Sequence, residues 1–139
     1  MAIDVAAFRQ FSLRVSVIAG AVLILAACVS KPIYNVDDRH FATSAMIPIG
    51  TVQEQIKLIG SERGWLFEDV APGHMIGNVG NPKHNAKVDL FYTQTTFSIK
   101  YLSSHNLRAR DGTIHHRYNR WIELFERDLV SKLGLASKG

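Results

Sequence analysis

The stretch "AKVDLFYTQTTFSIKYLS", residues 86–103, decides the fold. Ala86, Val88, Leu90 and Tyr92 alternate with Lys87, Asp89 and Phe91; Phe97, Ile99 and Tyr101 alternate with Ser98, Lys100 and Leu102. Successive side chains of a strand point to opposite faces, so each run predicts a strand with one buried and one wet face. The runs are joined by Thr93-Gln94-Thr95-Thr96, a short polar loop that suits a hairpin. Pairing Tyr92 with Phe97 sets Asp89 opposite Lys100 on the outer face, a favourable cross-strand pair.

Upstream, "WLFEDV" (65–70) and "HMIGNV" (74–79) flank the turn signal Ala71-Pro72-Gly73 and read as two more strands, with Gly80-Asn81-Pro82 punctuating after them. Before these, Thr51-Val52-Gln53-Glu54 has the form of a capping box, and Val52, Ile56 and Ile59 recur at helical spacing. This predicts a helix over 52–62, ended by Gly60 or Gly64. Downstream, residues 103–113 read as a loop. Ile114, Tyr118, Trp121, Ile122, Phe125, Leu129 and Leu133 then form an apolar stripe, predicting a helix from about Ile114, capped by Asp111 or Thr113 and closed by Gly134. The order helix, four strands, helix predicts a two-layer α+β domain over residues 51–139, a four-stranded antiparallel sheet with both helices on one face.

Residues 29–50, "VSKPIYNVDDRHFATSAMIPIG", hold no persistent period and are interrupted by Pro32 and Pro48. They read as a tether; a flexible coil of this length spans roughly 25 Å. Ile33, Tyr34, Phe41, Met46 and Ile47 are apolar, so its later half is able to lie against the domain.

The start of the chain has a different texture. Residues 1–14 carry Arg9 and Arg14 against Asp4, and the thirteen residues Val15 to Ala27 are uncharged and mostly Val, Ile, Leu and Ala. This is the layout of a secretory signal. The run is shorter than the about 20 residues that span a bilayer, which favours a cleaved leader over a retained anchor. It ends in Leu25-Ala26-Ala27-Cys28, and Cys28 is the single cysteine of the chain.

Leu25-Ala26-Ala27-Cys28 resembles the lipobox of bacterial lipoproteins. The resemblance implies cleavage between Ala27 and Cys28, a diacylglyceryl thioether on Cys28 and acylation of the new amino terminus. Each buried CH₂ of such an anchor contributes about 0.8 kcal/mol, and stable anchoring takes more than one chain. Lipoproteins of this type are retained in the inner membrane by Asp after the cysteine. Val29 stands there, implying the outer membrane, facing the periplasm, and the lipoprotein processing and sorting machinery as partners. Three further segments, "RGWLFEDVAPG", "SIKYLSSHNL" and "IHHRYNRWIELF", resemble small uncharacterised envelope lipoproteins and bring no assigned active residues.

Removing residues 1–27 takes away Arg9, Arg14 and Asp4, so the net charge falls from +4 to +3 over the remaining 112 residues. That length suits one domain, and with Cys28 lipidated no disulfide framework is available. The mild positive charge suits an anionic membrane surface and does not argue for nucleic acid, which export also excludes as a partner.

The mature chain contains His40, His74, His84, His105, His115 and His116. His115 and His116 are adjacent on the predicted helix rather than at the i, i+4 spacing of a chelating pair, and the others lack ligand-type spacing, so no metal site or cofactor is expected. Arg108, Arg110, Arg117 and Arg120 cluster near the start of the last helix and form the candidate ligand surface. Arg120 with Glu123 and Glu123 with Arg127 have helical ion-pair spacing. There is no G-x-S-x-G, H-E-x-x-H, P-loop or Rossmann pattern. The Asp37-Asp38 pair sits in the tether, where a fixed acid–base geometry is hard to hold. No catalytic residues are expected. The sequence therefore reads as a membrane-anchored, non-catalytic interaction or accessory module with an envelope protein partner. The alternative is a binder of an anionic envelope lipid, polymer or small ligand.

Overall fold

The computed structural model describes residues 29–136; the expected leader, the lipobox-like Leu25-Ala26-Ala27-Cys28 and the expected lipid attachment at Cys28 lie outside the described residues. The elements are β1 (Ser30–Pro32), β2 (Val36–His40), α1 (Ile49–Ser61), β3 (Leu66–Ala71), β4 (His74–Asn81), β5 (His84–Tyr92), β6 (Thr96–His105), β7 (Thr113–His115) and α2 (His116–Ala136). The main sheet has the order β2-β6-β5-β4-β3, and β1 pairs with β7 in a separate two-stranded ribbon. Every pairing is antiparallel.

The central hairpin takes the register its pattern predicts, Tyr92 opposite Phe97 and Asp89 opposite Lys100. Val88, Leu90, Phe97 and Ile99 are buried against Val52, Ile56 and Ile59 of α1 and Tyr118, Ile122, Phe125, Leu129 and Leu133 of α2, in one core cluster. Both helices thus cover one face of the sheet. Trp65, which leads from α1 into β3, stacks on Phe125 at 4.9 Å and on Phe67 at 6.1 Å. Gly60 and Gly77 make room for those rings: a Cβ at Gly60 would lie 2.5 Å from the Phe67 ring, and one at Gly77 would lie 3.1 Å from the Trp65 indole.

The α+β class holds, but the main sheet has five strands rather than four, and two strands precede α1. The fifth strand, β2, lies within the stretch read as a tether. Its sequence VDDRH buries only Val36, so it offers no alternation to detect. Backbone pairing holds it to β6, through Val36 with Ile99, Arg39 with Phe97 and His40 with Thr96. Charged side chains, a register shift and the positive φ of Asp38 also suit an edge strand, because they discourage further pairing.

Helix boundaries differ for local reasons. α1 begins at Ile49, with Pro48 as its N-cap and no side-chain cap, so Thr51 and Glu54 lie inside it rather than forming a capping box. The helix ends at Ser61, and Gly64 supplies the left-handed turn at φ 80°. Ile114 belongs to β7 and not to α2. Ahead of it, Asp111 and Gly112 have φ of 51° and 76°, while Arg110 and Thr113 exchange backbone hydrogen bonds. An Asp-Gly pair with both φ positive makes the tight turn that matches strand twist. Gly134 lies within α2, where a Cβ would come within 2.7 Å of the Ala42 carbonyl oxygen.

Candidate functional site

The residues just after Cys28 are fastened to the domain. Ser30, Lys31 and Pro32 pair with His115, Ile114 and Thr113. Asn119, one turn into α2, accepts the Tyr34 backbone N–H at 3.0 Å and donates to the Pro32 carbonyl at 2.8 Å. The Tyr34 hydroxyl donates to Glu126 at 2.7 Å, and Asn35 accepts the Tyr101 N–H. Only two residue steps separate Cys28 from Ser30, at most about 7 Å of extended chain. A site on this face therefore stays beside Cys28, instead of ranging over the tens of ångströms of a coil.

Two clefts flank β1. One, of about 310 Å³, is lined by Val29, His84, Asn106, Leu107, Arg108, His115 and Arg117. The other, of about 480 Å³, includes Lys31, Tyr34, His116, Asn119, Arg120 and Glu123. The loop carrying Arg108 is held by buried Leu107, whose carbonyl accepts the His115 N–H, and by Asn106, which bonds to the Lys83 carbonyl and meets His84. Arg108 itself has φ 53°, in the left-handed region that long side chains seldom adopt.

Cations outnumber acids in the linings of the two clefts, Glu123 being the acid in the second. Among the described residues, Lys31, Arg108, Arg117 and Arg120 make no ion pair. The first turn of α2 contains no acid, and its amino end adds the positive pole of the helix dipole. Burial holds the His115 imidazole below its ordinary value, and His116, Arg117, Arg108 and His84 push it further down. Its Nδ1 accepts the Arg117 backbone N–H at 3.1 Å, as a neutral ring does.

Of the four arginines singled out by sequence, Arg108 and Arg117 share the first cleft and Arg120 lines the second. Arg110 does not join them: it sits at the Asp-Gly turn and pairs with Asp111 at 3.2 Å. Sequence reasoning missed Lys31, His84 and His115 as members of this face. His115 and His116 straddle the boundary between β7 and α2, their rings stacked at 4.5 Å, rather than following one another on a helix. The expected ion pairs of Glu123 with Arg120 and Arg127 are absent among the described residues; Arg127 turns to Asp128 and Glu126 engages Arg39.

The rest of the surface offers less chemistry. Asp89 lies opposite Lys100 but pairs with His74 Nε2 at 2.7 Å, while Lys100 pairs with Asp37 of β2. The His74 ring stacks on Phe91 at 4.4 Å, and no serine among the described residues hydrogen-bonds to it. His40 ends the edge strand β2 and His105 ends β6. Among the described residues, no three His, Cys, Asp or Glu side chains come together as metal ligands, and no helix is long and apolar enough to cross a membrane.

Compared with protein-family models, curated proteins and solved structures, the chain has no significant match.

Proposed function

We propose that this protein is an envelope lipoprotein, anchored through acyl chains on Cys28 in the outer membrane and acting as a non-catalytic interaction or accessory module. The observation that carries this reading is Leu25-Ala26-Ala27-Cys28, placed two residues ahead of the first strand. Cleavage before Cys28 removes none of the described fold. The His74–Asp89 pair, without a serine partner and stacked against Phe91, fits a structural role better than an acid–base one.

The test is the intact mass of the protein extracted from membranes, beside a Cys28→Ala variant. The expected species starts at Cys28 and carries acyl mass that the variant lacks. Retention of residues 1–27 with a free thiol overturns the anchor. Cross-linking in intact cells tests the module: an envelope protein should be captured. Hydrolysis of an envelope polymer by the isolated protein, with no partner captured, overturns the non-catalytic reading.

A further inference from the structure

We infer that the basic face around Val29 seats on the membrane surface, its clefts taking phosphates of anionic lipid headgroups, so that the domain rests on the bilayer in a fixed orientation. The inference builds on the lipid anchor proposed above and adds what the anchor alone leaves open, which end of the domain meets the lipid.

Three independent features converge on this face. The chain outside the described residues enters here, since Val29 lines the first cleft and is bonded directly to Cys28. β1 is pinned by β7 and by Asn119, so the anchor cannot swing away on a long leash. The clefts beside that entry are rich in cations: Arg108 and Arg117 line one, Lys31 and Arg120 the other, none in an ion pair among the described residues. Glu123 is the acid lining the second cleft, and Arg110, which lines neither, pairs with Asp111.

Cationic groups in this position act on a surface they are forced to face. Each Lys or Arg within a Debye length of an anionic leaflet contributes about 1 kcal/mol, and at physiological salt that length is about 8 Å. A reach of about 7 Å from Cys28 to Ser30 lies inside that range, whereas a coil of roughly 25 Å would not hold it there. Burial first, and the neighbouring Arg117 and Arg108 after it, hold the His115 imidazole below its ordinary value, and its Nδ1 is already occupied by the Arg117 backbone N–H, so the cations of this cleft are the groups left to receive an anion. The opposite end of the sheet, where β3 turns into β4 near Ala71, is a β5 length away, about 27 Å, and is left free to meet a partner.

The test uses the full-length chain expressed with its own leader, purified acylated from membranes and placed in nanodiscs. A fluorophore is attached at Ala109→Cys, beside Arg108, or at Ala71→Cys at the far end; both positions are exposed. Nitroxide on the lipid headgroups serves as quencher. In discs containing phosphatidylglycerol, quenching should be several-fold stronger at position 109 than at position 71. The difference should shrink in purely zwitterionic discs, in high salt, and in the Arg108→Glu/Arg117→Glu double variant, with Arg108→Gln/Arg117→Gln as the milder substitute if the reversal fails to fold. Equal quenching at the two positions, or a contrast indifferent to lipid charge and salt, overturns the seating while leaving the anchor intact. Absence of acyl mass on the purified chain overturns the anchor and the seating with it.

Discussion

The β5–β6 hairpin and the segment 30–48 are both integral to the fold, but different forces hold them. In the hairpin, Ala86, Val88, Leu90 and Ile99 are wholly buried and regularly spaced, so removal of apolar area from water is the main stabiliser. In the N-terminal segment only Val36, Phe41 and Ile47 reach the core as buried side chains, and no regular spacing relates them. Polar bonds fill the gaps: Phe41 N–H to the Thr95 carbonyl, Ala42 N–H to Val130, Ile47 N–H to Gln94, and the two bonds of Asn119. A few deep anchors joined by satisfied backbone groups can secure a segment that has no periodic face.

The sharpest way to break this comparison is Phe41→Ala. Phe41 is 3 % exposed and stacks on Phe97 at 5.5 Å. Its truncation should cost about 3–5 kcal/mol in urea unfolding, on the scale of Leu90→Ala in the hairpin. A cost below about 0.5 kcal/mol would mean the segment is a tether after all.

The next effect lies between the helices, outside both regions. Asp128 is buried, and Arg63 Nε donates to it at 2.5 Å, which holds its carboxyl below the usual range. Arg63→Ala should cost about 2 kcal/mol, reduced from a fully buried pair because the arginine is partly exposed. A depressed carboxylate stabilises fully above the unfolded value, near pH 4, and that contribution disappears as pH falls through the folded value. Wild type should therefore lose stability below about pH 4 more steeply than Arg63→Ala; parallel acid-unfolding curves would remove the pair from this role.

Asn119→Ala sharpens the comparison further. It should cost about 1–2 kcal/mol and raise amide exchange in residues 30–35, while the centre of the hairpin keeps its protection. Uniform loss of protection would show that the two regions open together. The smallest effect is expected at Tyr118. Its buried hydroxyl has no hydrogen-bond partner among the described residues, and burial, with a smaller contribution from Tyr101, raises its ionisation well above the ordinary phenol value. Tyr118→Phe should leave the melting temperature unchanged or raise it, by up to about 1 kcal/mol of stability. A clear loss would reveal a polar contact at that hydroxyl.

Much of the domain could be read ahead of the structure wherever burial is periodic. The hairpin register follows from alternation, the paired strands 65–70 and 74–79 from a Pro-Gly turn, and α2 from its stripe of Tyr118, Ile122, Phe125, Leu129 and Leu133. Misreadings fall where backbone pairing or a single turn decides. β2 buries one side chain, and β7 has three residues that merge into the helical stripe through Ile114. The Asp111-Gly112 signal was present, but Ile114 fits a helical face as well as it fits a strand. Of the basic face, Arg108, Arg117 and Arg120 could be picked out by their closeness in sequence. Lys31 and His84 could not, being far apart in the chain and joined to the others only through β1, the 81–84 turn and the 106–109 loop.

By itself, then, the sequence determined the hydrophobic layers, the hairpin register, the helix faces and the lone cysteine at the end of an apolar run, because each is written in local spacing or composition. Tertiary structure alone decided that residues 36–40 close the edge of the main sheet, that β1 lies between two basic clefts, and that Lys31, His84 and His115 join the arginines there. These outcomes depend on hydrogen bonds and charge contacts between residues distant in the chain, and such contacts leave no period in the sequence to betray them.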